Sequence, residues 1–196
     1  MLRSMIFIDF ENFDISKFNY YRKIGLSNPK LDFNKFPKEI NGLLHNHILI
    51  KTFLFAPKPE GILASDLALQ SRYNWITGMK NQDYFTIIEG RHVAKPTTGY
   101  TYRSMNLSIP ASYYREEKGT DVNIATHLLT KAFHNSYDTA IIVSGDTDYI
   151  PVMDVLNTLG KSVVVVGVNG QNLVAFKHHT DKQIILDDSF FQKCLR

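Results

Sequence analysis

Cysteine occurs once in 196 residues, at Cys194. No internal disulfide can form, and no cysteine-based metal site is available. Long hydrophobic runs are missing as well. The N-terminal apolar run spans about six residues before Asp9 interrupts it, and no later stretch reaches the ~18 apolar residues of a membrane span. The sequence thus reads as neither secreted nor membrane-bound, and the cytoplasm is the expected location. Strong charge of one sign is also absent. A formal net charge of +3 permits a phosphate-bearing partner without calling for one, because the distribution of charge matters more than its sum. Internal repeats and long linkers are lacking, so one domain over residues 1–196 is expected. With 44% hydrophobic and 21% charged residues, the composition suits a soluble chain able to bury a real core.

The most informative stretch runs from Thr139 to Gly160, TAIIVSGDTDYIPVMDVLNTLG. Thr139 to Val143 suit a strand buried on both faces. The run breaks at Ser144-Gly145 and delivers Asp146 and Asp148 before a helical pattern over Tyr149 to Leu159, which tolerates Pro151 in its first turn and ends at Gly160. Open α/β sheets place their ligands beyond the carboxyl ends of such strands. Met5 to Phe10, MIFIDF, forms another short apolar strand, with Asp9 at its end. Alone, Asp9 reads equally as a turn or cap residue. Ile48 to Ala56, closed by Pro57 and Pro59, Phe85 to Ile88, Lys161 to Val168 and Gln183 to Leu186 read as further strands. Helical patterns fall near Pro37 to His45 and over Gly61 to Met79, with Ser65 or Asp66 able to cap a turn. A short helix is expected within Gly170 to His179. Strands alternating with helices imply a mostly parallel sheet covered on both faces.

Two segments carry cations or acids of interest. Arg91 to Tyr114 holds Arg91, His92, Lys95 and Arg103 among four tyrosines, without an acidic residue. A hairpin covering a sheet edge and a loop that contacts phosphates and stacks bases both fit it. Downstream, Thr120 reads as a helix N-cap with Asp121 in the first turn. Val122, Ala125, Leu128, Leu129, Ala132 and Phe133 form the apolar stripe. A carboxylate at that position is also favoured by the helix dipole alone. His127 reads as a solvent-side residue of this helix.

If Asp9, Asp121, Asp146 and Asp148 meet at one edge, charge repulsion dictates the chemistry. Two carboxylates ~4 Å apart repel by about 4 kcal/mol at an effective dielectric near 20. Such a group takes up protons or binds a cation. Oxygen donors without cysteine select a hard ion, Mg²⁺ or Mn²⁺, and a phosphodiester becomes the natural substrate.

FIDFENF, EKGTDVNIATHLL and VSGDTDYIPVMDVLNTLGKSVVVVG together resemble the NYN domain of the PIN-like nuclease superfamily, in its LabA-like branch. The resemblance covers the first strand and roughly residues 115–187. It implies a three-layer α/β/α fold and a divalent-metal site that cleaves RNA. Asp9, Asp121 and Asp146 would hold the Mg²⁺ or Mn²⁺, and Asp148 would complete the cluster. Asn12, Ser144 and Lys118 would contact the phosphate or orient the acids. The 91–114 insertion departs from the family pattern, and Arg91, Lys95 and Arg103 are candidates for binding a nucleic-acid backbone from its charge alone. An RNA-binding NYN module without turnover fits the same residues. A phosphatase with Asp9 as nucleophile needs a second aspartate two residues on, where this chain has Glu11. Homo-oligomers paired through the tyrosine-rich insertion are a further expectation.

Overall fold

A computed structural model describes residues 1–196. Its centre is a seven-stranded sheet in the order β4-β3-β2-β1-β5-β6-β7. The strands are β1 (Leu2–Asp9), β2 (His47–Pro59), β3 (Phe85–Pro96), β4 (Tyr113–Lys118), β5 (Thr139–Val143), β6 (Ser162–Val168) and β7 (Lys182–Leu186). Neighbours run parallel except β3 and β4, which form an antiparallel hairpin. The helices are α1 (Phe10–Ile24), α2 (Phe36–Gly42), α3 (Leu67–Gly78), α4 (Thr120–Phe133), α5 (Ile150–Thr158) and the single turn α6 (Asp188–Phe191).

The period-2 alternation of strands splits the interior into two cores. Ile6, Ile8, Leu54, Ile141, Val164 and Val166 face one way and pack under α1, α2, α3 and α6. Met5, Phe7, Phe53, Phe55, Ala140, Ile142, Val163 and Val165 face the other way and pack under α4 and α5. The result is the expected three-layer α/β/α architecture.

The chain walks outward from β1 through β2 and β3 with its helices on one face. It then returns to β5 and continues through β6 with its helices on the other face. The direction of winding reverses between β1 and β5, which are hydrogen-bonded neighbours. A crevice forms where the winding reverses, and Asp9 and Ser144 stand at its two lips.

Several local expectations are corrected. Strand β2 runs through Pro57 and Pro59. Because β1 stops at Asp9, opposite Phe55, β2 has only β3 beside it beyond that point, and an edge tolerates the missing N–H of proline. The third strand continues past Gly90 to Pro96, so Arg91 to Tyr114 is a hairpin arm rather than a free loop. Helix α1 begins directly at Phe10, with the Asp9 carboxylate accepting from the Asn12 N–H. The stretch Gly61 to Met79 divides at Asp66, whose side chain caps α3. In place of a helix within 170–179 there is one 3₁₀ turn, Val174–Phe176. The Asn172 side chain accepts from the Val174 N–H, a local bond that competes with helix formation.

Helix α4 also differs. Gly119, at φ +81°, occupies the cap position, and Thr120 is the first helical residue. Only a residue without Cβ enters that left-handed conformation cheaply. The buried stripe is Ile124, Leu128 and Ala132, while Val122 and Phe133 are exposed. His127 turns inward, its ring 5.4 Å from that of Phe53 and 5.6 Å from that of Phe55.

Candidate active site

Asp9 leaves β1 at the crevice and is 5% exposed. Its Oδ2 accepts from the Ser144 hydroxyl at 3.2 Å and the Tyr149 hydroxyl at 3.1 Å, and its Oδ1 accepts from the Asn12 N–H at 3.2 Å. Tyr149 Oη also lies 2.9 Å from Asp121 Oδ1. One phenolic hydroxyl therefore bridges two carboxylates with one proton to give. Burial, with the nearby Asp121 charge adding to it, raises the Asp9 pKa to about 6. Burial and the same two carboxylates push the Tyr149 phenol far above its ordinary range.

Loop 144–148 is held from both sides. The Asp146 N–H donates to Ser144 Oγ at 3.2 Å, and the Asp148 N–H donates to Asp146 Oδ1 at 3.0 Å. The Asn12 side-chain oxygen accepts from the Gly145 N–H at 3.0 Å and from Gln171 Nε2 at 3.1 Å. Gln171 Oε1 in turn accepts from the Val168 N–H at the end of β6. Asn12 and Ser144 thus act on the geometry of the acids and their loop.

Of the four aspartates, the structure draws Asp9 and Asp121 together through Tyr149 and links Asp146 to Asp9 through Ser144. Asp148 is exposed. No group of three or more His, Cys, Asp or Glu side chains is drawn in closely enough to enclose a metal ion. The carboxylate of Asp146 caps its own turn, so it is less central than Asp9.

Glu117, on β4, belongs to the site, and the sequence reading passed over it. Its side chain accepts from the Thr120 hydroxyl. Burial, then the charges of Asp9, Glu11 and Asp121, raises its pKa to about 7. Its neighbour His92 is buried, and burial lowers its pKa. Glu11 is turned aside into an ion pair with Arg72 at 2.9 Å. The charges of Asp9 and Asp121 raise Glu117 and that of Asp121 raises Asp9, yet no ion pair offsets any of the three. A hard divalent cation fits this all-oxygen, uncompensated set in kind.

The hairpin carries the cations on its other side. In the β3–β4 register Arg91 stands opposite Lys118 and Lys95 opposite Tyr114, so Arg91, Lys95, Tyr114, Glu116 and Lys118 share one face. Glu116 lies between two cations, 3.3 Å from Lys118 Nζ and 3.7 Å from Lys95 Nζ. Lys95 also sits 5.9 Å from the centre of the Tyr102 ring. Arg103 is exposed in the turn region of the arm. Lys118 therefore lies on the face with Arg91 and Lys95, with Glu117 and His92 on the opposite one.

The protein is an α/β chain with a doubly wound sheet and carboxylates without cation partners at its reversal point. The NYN domain model matches residues 3–187, and the chain belongs to the NYN domain family. A crystal structure of a protein of unknown function from Vibrio parahaemolyticus has the same fold, with TM-score 0.60 and 17% identity over 100% of this chain and 96% of that one. No curated protein matches the sequence. No helix is long and apolar enough to cross a membrane.

Proposed function

We propose that the chain is a Mg²⁺- or Mn²⁺-dependent endoribonuclease of the LabA-like branch. The observation that carries this reading is the excess of negative charge at the β1/β5 crevice. Asp9, Asp121 and Glu117 stand together without a cation partner, within a family of nucleases. Asp9, Asp121 and Asp146 are the residues that would hold the ion. When bound, it would supply charge neutralisation for the phosphate and acidify a water molecule. The protein's own contribution is positional. Ser144 and Asn12 fix the turn that aims Asp146, and Tyr149 holds Asp9 and Asp121 in register. Glu117, with its pKa near 7, exchanges a proton close to neutral pH, the range a general base requires. Arg91, Lys95, Lys118 and Arg103 would steer an RNA backbone along the hairpin.

A second reading, RNA binding without turnover, draws support from the Tyr149 hydroxyl lying between the two best-placed carboxylates. One experiment separates them. Wild type and Asp146→Asn are compared for cleavage and for binding of single-stranded RNA with Mn²⁺ or Mg²⁺. Cleavage that disappears in the variant while binding persists supports the nuclease. Binding by wild type without cleavage of any RNA supports the second reading.

A further inference from the structure

A cavity of about 460 Å³ opens beneath α1, between that helix, the 28–31 segment and α3. Its size falls in the ~300–1,000 Å³ range of small-molecule sites. Phe10, Phe33 and Trp75 line it, with ring centroids 6.0–6.1 Å apart pairwise. Phe10 and Phe33 are buried and Arg72 lies 5.0 Å from the centre of the Phe10 ring, so the partly exposed Trp75 is the aromatic surface that can accept a planar base.

The charges lining the cavity are unbalanced. Arg72 is neutralised by Glu11 and Asp14, each at 2.9 Å. Lys17 is different. It is only 4% exposed, and its ammonium is held by the Asn28 side-chain oxygen and the Pro29 carbonyl. Neither acceptor carries a charge, and Lys17 forms no ion pair. Two of its three N–H donors are used. Burial lowers its pKa, with Asp14 opposing. The ammonium also lies 5.9 Å from the centre of the Tyr21 ring, and a buried cation without an ion-paired partner is costly. Lys30, exposed at the same cavity, adds a second positive charge.

We propose that this cavity binds a nucleotide, its base against Trp75 and its phosphate at Lys17 and Lys30. None of Asp9, Glu117, Asp121 and Asp146 lines the cavity, and its Arg72 pairs with Glu11, two residues after Asp9 in the chain. The nucleotide comes either from a single RNA strand or from the free pool. Occupancy requires no divalent ion, so this site and the ribonuclease reading stand or fall separately.

Trp75 is the only tryptophan in the chain, which makes its fluorescence a direct reporter. The full chain in EDTA is titrated with 5′-AMP, 5′-UMP, adenosine, inorganic phosphate and a short single-stranded oligoribonucleotide. Saturable quenching by the nucleotides or the oligomer is expected, with adenosine and phosphate alone much weaker. Lys17→Met and Lys30→Gln should each weaken it, roughly tenfold for the buried lysine as one charge-assisted hydrogen bond is lost. Lys30→Gln alters an exposed residue and carries the test if Lys17→Met does not fold. Quenching by the oligomer alone assigns the pocket to the RNA strand, and quenching by mononucleotides assigns it to the free pool. Absence of saturable quenching at millimolar ligand, or identical quenching in folded variants, overturns the proposal.

Discussion

Asp9→Asn keeps the shape of the most buried acid in the crevice and removes its charge. In the folded protein the Asp9 pKa is about 6, raised mainly by burial, whereas in the unfolded chain it returns to about 3.9. The folded state holds the proton more tightly than the unfolded state. The stability this preference provides is complete below about pH 4 and is lost as pH rises toward 6. Above that, wild type carries a penalty of two pKa units, or about 3 kcal/mol. An asparagine escapes it, which sets an upper bound of about 6–12 °C on the gain in Tm for a chain of this size. The amide must still serve Asn12, Ser144 and Tyr149, so a net gain of roughly 3–6 °C at pH 8 is expected. Thermal unfolding followed by circular dichroism in EDTA at pH 4 and pH 8 measures it. The gain should appear at pH 8 and nearly vanish at pH 4. A variant that melts below wild type at pH 8, or that gains equally at both pH values, refutes the reasoning. Mn²⁺ added at 100 times its Kd should raise wild-type stability by about 2.7 kcal/mol and leave the variant nearly unmoved.

Three further outcomes are expected. Gly90→Ala places a Cβ 2.2 Å from Thr120 Oγ1 and 3.2 Å from the Lys118 carbonyl oxygen, so chemical denaturation should show a loss of about 1–3 kcal/mol. Tyr149→Phe removes the hydroxyl shared by Asp9 and Asp121, costing about 1–3 kcal/mol by the same assay, with a larger loss at pH 8 than at pH 5. Neutralising Arg91, Lys95 and Arg103 together should make the salt dependence of single-stranded RNA binding shallower by roughly two. A slope that stays the same in filter-binding titrations would assign the arm to structure instead.

The central strands were readable because their runs are apolar on both sides, and Asp9 and Asp146 were readable because each follows such a run. The hairpin was harder. Its strand β4, YYREEK, puts one tyrosine, one acid and one base on each face instead of alternating polar with apolar, so hydropathy carries no period-2 signal. That concealed Glu117, which reads as the start of a helix. Tyr149 was hidden for another reason. In SGDTDY it looks like a core aromatic, and only the loop geometry shows its hydroxyl reaching two acids from different elements. Gln171 lies in a segment without periodicity, and its contact with Asn12 spans 159 positions. On α4, Leu128 and Ala132 of the expected stripe are buried together with Ile124, one turn before Leu128, while Val122 and Phe133 lie off that line and are exposed.

The run of charges along β4 also bears on how copies of this chain meet. The strand closes one edge of the sheet and would otherwise offer its free N–H and C=O groups to a strand from a neighbour. Arg115, Glu116, Glu117 and Lys118 place four successive charges along that edge, and an incoming strand would have to strip them of water or meet them charge against charge. The opposite edge is the short β7, only five residues long and opening with Lys182. Sheet extension is therefore blocked at both ends, and association through added strands is disfavoured even at high protein concentration.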